Sequence, residues 1–194
     1  GILRFINFAH GDIFMLGALT ALTAAQALAA MGLPAPLALS LAVLAAMLVC
    51  IVLGVSIERI AYRPLRQAPR LAPLITAIGV SILLQYSAAL VWGKQYLAMP
   101  ELVKPSEIDI GGAHLTDLQA FIFILACAVM AALLWFIKAT RMGRAMRATE
   151  QNPAVAGLMG VDVNRVIAFT FLLGSAIGAV AGVMVVLYYG IGHY

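Results

Sequence analysis

Two polar stretches interrupt an otherwise apolar chain, and any chemistry this protein performs has to be sought there. The first is Asn7, His10, Gly11 and Asp12, within GILRFINFAHGD at the start of the sequence. Polar side chains set among apolar ones at membrane depth are costly and tend to face a cavity. Asp12 suits the cap of a helix expected to begin at Ile13, and Gly11 permits a sharp break before it. A helix N-terminus within a bilayer is a natural seat for a carboxylate, although the Asp12 side chain would compete for the same N–H groups. The plainer alternative is that Asn7, His10 and Asp12 do no more than cap and hydrogen-bond a helix break. One histidine is not a metal site, and His114 and His193 lie far along the chain, so no metal is expected.

The second stretch is 138–165, KATRMGRAMRATEQNPAVAGLMGVDVNR, basic and punctuated by Ala and Gly. Arg144 and Arg147, with the small residues Ala145 and Ala148, fall at helical spacing. Asn152-Pro153 reads as a new start, with Asn152 as N-cap and Pro153 in the first turn. Pro153 to Met159 then makes about two turns, ending at Gly160 as the glycine that follows a helix. Such a helix, lined by Ala154, Ala156 and Gly157, offers a knob that another protein can grip closely. The alternative is a solvated connection, but 28 residues is long for one.

The elements that position these stretches must be membrane helices. The sequence is 64% hydrophobic and 10% charged, with a mean hydropathy of +1.04; soluble domains carry about 25% charged residues. Five apolar runs are long enough to cross a hydrocarbon core of ~30 Å: 13–31, 37–57, 71–92, 118–137 and 166–189. The expected fold is therefore an all-α multi-span membrane protein, a single transmembrane domain over 1–194. Between the first two spans, GLPAP at 32–36 forces a turn. Between the third and fourth, 93–117 is a mixed polar loop with a Gly111-Gly112 turn. Trp92, Trp135 and Tyr188-Tyr189 mark interfaces. Cys50 and Cys127 each sit in an apolar run as small packing residues.

Orientation follows from Lys and Arg. Arg59, Arg63, Arg66 and Arg70 lie in 58–70; Lys138, Arg141, Arg144, Arg147 and Arg165 lie in 138–165; only Lys94 and Lys104 lie in 93–117. Both basic segments are thus expected in the cytoplasm, with 32–36 and 93–117 outside. Residues 1–12 approach from the cytoplasmic side or dip into the membrane as a broken helix. The basic residues serve as membrane flanks and give no support for nucleic-acid binding. Gly174, Gly178 and Gly182 recur every four residues in the last span, with Ser175 and Ala179 beside them, a face suited to close helix packing within this chain or against a partner. Gln26, Ser81, Gln85 and Thr170 are intramembrane polar groups that could line a pathway but are expected to bond to neighbouring helices.

Three segments carry a resemblance: Ile6-Asn7-Phe8-Ala9-His10-Gly11-Asp12; Ser56 to Arg66, SIERIAYRPLR; and Arg141-Met142-Gly143-Arg144-Ala145 followed by Ala156-Gly157-Leu158-Met159-Gly160-Val161. Together they resemble the branched-chain amino acid permease family of ABC importers, along nearly the whole chain. Where that family often has Glu after His-Gly, this chain has Asp12, which keeps the charge. Family members are roughly half as long again, so the chain, which begins at Gly1 without Met, is expected to be a fragment lacking a first helix and C-terminal helices. The resemblance implies a bacterial inner-membrane importer in which two homologous permeases form the pathway. It also implies two cytoplasmic ATPase subunits that grip the coupling segment (Arg144, Ala145, Ala148, Asn152, Ala156, Gly157 and Gly160) and a periplasmic binding protein that delivers substrate. Consistent with this, the chain has no G-x-x-x-x-G-K-[ST] loop, so it takes no ATP of its own and needs no cofactor. Urea, short amides and other small amino acids remain alternative substrates. An ion-coupled transporter or channel calls for a charged residue inside a span, and the reading above places Asp12 only at an edge. An intramembrane enzyme would need H-E-x-x-H or paired aspartates, and neither occurs.

Overall fold

A computed structural model describes residues 9–66, 68–69, 71–93, 97–98, 107–110 and 113–192. Five long helices are apolar enough to cross a membrane, as expected, and two short helices lie between the last two of them. In chain order these are α1 (Ala9–Ala30), α2 (Ala35–Ile57), α3 (Leu71–Trp92), α4 (Asp117–Ala139), α5 (Arg141–Gln151), α6 (Pro153–Leu158) and α7 (Val163–Tyr189). Two small antiparallel ladders sit outside the spans. β1 (Leu97–Ala98) pairs with β4 (Ile191–Gly192), and β2 (Glu107–Ile110) with β3 (Ala113–Thr116). The second ladder flanks the Gly111-Gly112 position, where the sequence signals a turn.

Local chemistry explains the helix ends. Gly32 takes φ +76°, and the N–H groups of Gly32 and Leu33 donate to the carbonyls of Ala29 and Leu28. This closes α1 as a Schellman motif before Pro34 and Pro36 restart the chain. α4 opens with a reciprocal capping box between Thr116 and Gln119, a T-x-x-Q signature legible in the sequence but not recognised there. α7 ends at Gly190, φ +68°.

The second helix does not stop at Ile57. It widens into a π turn (Glu58–Tyr62) and then tightens into a 3-10 turn (Arg63–Leu65), so the expected basic loop 58–70 is largely helical. The reason is Glu58, only 1% exposed, whose carboxylate pairs with Arg66. Arg66 also donates to Asn164 Oδ1 at the start of α7. That bond places 58–66 and 138–165 at one end of the bundle; the β1–β4 ladder joins the segments at the other. The expected arrangement of the two basic segments on a common side follows.

The core is a triad of α1, α2 and α7 that touch through small residues. On α2 the fully buried positions are Ala38, Ala42, Ala46, Cys50 and Gly54, a row at every fourth residue. Cys50 Sγ donates to the Ile13 carbonyl across the α1 crossing, 3.3 Å. A Cβ on Gly17 would fall 2.9 Å from Ala179 Cα, and one on Gly182 would fall 2.5 Å from the Phe14 carbonyl oxygen. Side-chain bulk at these positions would push the helices apart, and the helices gain dispersion contacts from its absence. α3 touches this triad along Ala77, Leu84 and Ala88, whereas α4 has no buried residue.

Candidate functional sites: an intramembrane carboxylate and a braced surface helix

The first turn of α1 stands partway along α7, with Ala9 and Asp12 buried and His10 and Gly11 exposed. His10 rests against the glycine face of α7, its Cε1 3.7 Å from where a Gly174 Cβ would stand and 3.6 Å from that of Gly178. Gly174 is eleven residues beyond Val163, so this turn stands ~16 Å above the start of α7 at 1.5 Å per residue. Gly174, Gly178 and Gly182 thus pack within the chain, on His10, Phe14 and Ala18.

Three expectations for this turn are corrected. α1 runs from Ala9, so Asp12 lies within its first turn and is not the cap of a helix starting at Ile13. Gly11 is helical and open to added bulk, and it makes no break. Asp12 stands inside the bundle, 6% exposed, and not at a membrane edge. The apolar run had to be counted from Ile13 because a charge normally ends a span. What offsets that charge is Gln85 on α3, 73 positions away, whose Nε2 donates to Asp12 Oδ1 at 2.9 Å. The same amide donates to Ser81 Oγ at 3.2 Å. Asp12 Oδ2 is buried without a hydrogen-bond partner among the described residues. An acid in the first turn also gains from the helix dipole. Asn7, the remaining member of the predicted cluster, lies outside the described residues. Of the other intramembrane polar groups, Thr170 bonds to the Val166 carbonyl of its own helix and not to a neighbour. Among the described residues no three His, Cys, Asp or Glu side chains come together to hold a metal ion.

The basic segment is a braced corner. Thr140 serves two helices at once: its Oγ1 donates to the Phe136 carbonyl at the end of α4 and accepts from Gly143 N–H in α5. Gly143 is required there, because a Cβ would overlap the Ile137 carbonyl. Arg147 donates to that same carbonyl, and Arg144 donates to Ala139 O at 3.3 Å. Two guanidinium groups therefore satisfy the C-terminal carbonyls of α4 and complement its dipole. Ala145 is half-buried and Ala148 exposed.

Asn152 then turns the chain, its Oδ1 accepting from the N–H groups of Ala154 and Val155 as the sequence predicts. α6 closes in a second Schellman motif, with Gly160 at φ +83°, Gly160 N–H to Gly157 O and Val161 N–H to Ala156 O. The expected grip surface is corrected in part. Ala156 is buried against the protein, while Val155, Leu158 and Met159 project outward, Leu158 87% exposed. Gly157 is exposed, with nothing within 4 Å of an added Cβ. Of the small residues only Ala156 seats on its own chain; Ala154 and Gly157 are exposed together with the branched and thioether side chains. The bracing extends to the spans: the Phe136 and Phe169 rings stack at 5.9 Å between α4 and α7, and Asp162 caps α7 through Arg165 N–H.

Five helices long and apolar enough to span, a buried polar pair and a short surface helix at the basic end describe a multi-pass membrane protein. The sequence matches the family described as the branched-chain amino acid transport system permease component over residues 1–194, and the chain belongs to that family. It is 41% identical to the high-affinity branched-chain amino acid transport system permease protein BraD of Pseudomonas aeruginosa, and 41% and 40% identical to the LivH proteins of Salmonella typhimurium and Escherichia coli K12. Each match covers 98% of this chain and 64% of the relative. No solved structure matches it.

Proposed function

We propose that this chain is a membrane-spanning permease subunit of an ATP-driven importer for branched-chain amino acids in a bacterial inner membrane. It works with a second, homologous permease, two cytoplasmic ATPase subunits and a periplasmic binding protein. The observation that carries the reading is the corner at 138–165. α6, which presents Val155, Leu158 and Met159, follows directly on α5, which Thr140, Arg144 and Arg147 fix to α4; it leads into α7 at the Asp162 cap, and the Phe136–Phe169 contact ties α4 to α7. A displacement applied to α6 by an ATPase is then passed to two spans as a rigid body, the repertoire by which packed helices transmit motion. Arg66 extends the linkage to α2 through Glu58 and Asn164. The stretch holding Asn7, His10, Gly11 and Asp12, of which the last three stand in the first turn of α1, lines the translocation path on this reading. The names of the relatives support the substrate class.

The test is uptake of labelled leucine into vesicles by the full-length protein with its partners, challenged with unlabelled isoleucine, valine and urea. Uptake that needs ATP and is blocked by isoleucine and valine, but not urea, is expected. ATP-dependent transport indifferent to leucine would move the substrate to amides or urea. One observation favours a second reading, that of an ion-coupled transporter: Asp12 is an acid inside a span. Uptake that persists without the ATPases would establish it.

A further inference from the structure

Asp12 is the one acidic side chain among the described residues to be both buried and positioned at mid-depth in the bundle, and half of its carboxylate is left over. Oδ1 takes one hydrogen bond from the neutral Gln85 amide, and Oδ2 takes none. A buried carboxylate oxygen without a donor is costly, of the order of several kcal/mol for an ionised group, and proteins keep such a group where a ligand completes it. No Lys or Arg lies on α1, α2 or α3, and the one on α7, Arg165, stands in its first turn, well below Gly174 and Gly178, which face this turn of α1. The described spans thus leave this oxygen without a donor, and a cation is the partner that would answer its charge as well as its lone pairs. Its donor must also be compact, since Asp12 is 6% exposed and small-residue contacts hold α1 close to α2 and α7.

We infer that Asp12 Oδ2 is the subsite for the ammonium group of a transported amino acid, and that Gln85 is a positioning residue that holds the carboxylate for it. The inference rests on the importer reading above and deepens it. Gln85 bridges Asp12 on α1 and Ser81 on its own helix, so its amide fixes Oδ1 and leaves Oδ2 as the acceptor. α3 is the most lightly packed of the helices around Asp12, seated on Ala77, Leu84 and Ala88, and Gln85 itself is exposed. Movement of α3 thus opens the carboxylate without unpacking the α1–α2–α7 triad. An ammonium offers three donors to such an acceptor, and a charge-assisted bond of this kind is about twice as strong as a neutral one.

Two measurements test this in the full-length transporter with its partner subunits. In the first, Asp12→Asn keeps the shape and one acceptor but removes the charge. The assembled complex, recovered in normal yield, should show leucine uptake reduced at least ~10-fold, with partial recovery in Asp12→Glu. Wild-type uptake by Asp12→Asn would overturn the inference and leave Asp12 and Gln85 as an interhelical strut. The second does not depend on that variant folding. Ser81→Cys, in a Cys127→Ser background with Asp12 intact, is treated with methanethiosulfonates bearing an ammonium or a sulfonate group. Faster labelling by the ammonium reagent, by ~10-fold or more and slowed by leucine, is expected. Equal rates would show that no anionic acceptor is presented there and would overturn it. Absence of any ATP-driven leucine uptake in the wild-type complex would instead reject the importer reading, while the charge preference at Ser81→Cys would stand or fall independently.

Discussion

Gly54 tests the close-packed triad quantitatively. A Cβ built there overlaps Ser175 Oγ and lies 2.9 Å from Ser175 Cβ, with the Phe171 carbonyl next at an ordinary 3.5 Å. Rotating Ser175 can move its Oγ but not its Cβ, and Ser175 is 1% exposed with little room to turn. In Gly54→Ala the α2–α7 crossing must therefore widen by several tenths of an ångström. Overpacking of this sort costs about 1–3 kcal/mol, against which Ala for Gly in a helix returns about 1 kcal/mol. A net loss of up to about 2 kcal/mol is expected from these two terms. The companion Ser175→Gly removes both clashing atoms, and its propensity cost of about 1 kcal/mol cancels the gain at position 54. The double variant should return to within about 1 kcal/mol of wild type, so the coupling energy is carried by this one contact. Reversible unfolding in bicelles, followed for the two single variants and the double, measures the cycle. Additive effects of the two substitutions would refute the claim that steric exclusion at this crossing sets the helix separation.

On the surface of α6 Gly157→Trp adds bulk where the chain itself leaves open space, so insertion and stability should be unchanged while, on the proposed importer function, ATP-driven uptake falls at least ~10-fold; uptake at the wild-type rate would reduce α6 to a linker. Asn152→Ala removes an acceptor for two N–H groups and should destabilise α6 by about 0.5–2 kcal/mol, read as faster amide exchange at Ala154 and Val155. Arg66→Met strands the buried Glu58 carboxylate, and a loss of about 3–5 kcal/mol in unfolding free energy is expected, largely relieved when Glu58→Gln is added. Gly143→Ala places a methyl group on the Ile137 carbonyl and should separate α4 from α5, which a distance measurement between spin labels on the two helices would register.

What the residues determine by themselves is governed by short-range physics. An apolar run long enough for the bilayer has to satisfy its backbone internally, so five spans were legible from hydropathy, and the common side of the two basic segments from Lys and Arg. Asn152-Pro153 and Gly160 announced α6 with both of its ends because capping involves atoms a few residues apart. The four-residue row from Ala38 to Gly54 was equally local and equally visible, although only the glycines of the last span drew notice. Tertiary structure alone decided whatever depends on partners distant in sequence. Asp12 looked like the end of a span until Gln85 arrived from α3 to bear it. Glu58 counted as one charge in a basic loop until Arg66 and Asn164 drew it into the bundle and carried α2 on for two more turns. Ala156 seemed the surface of α6, but small side chains suit close contact with one's own chain as well as with a partner, and only the packing of α6 shows which side it takes. Charge and size state what a residue can tolerate; the company that three-dimensional packing brings decides what it does.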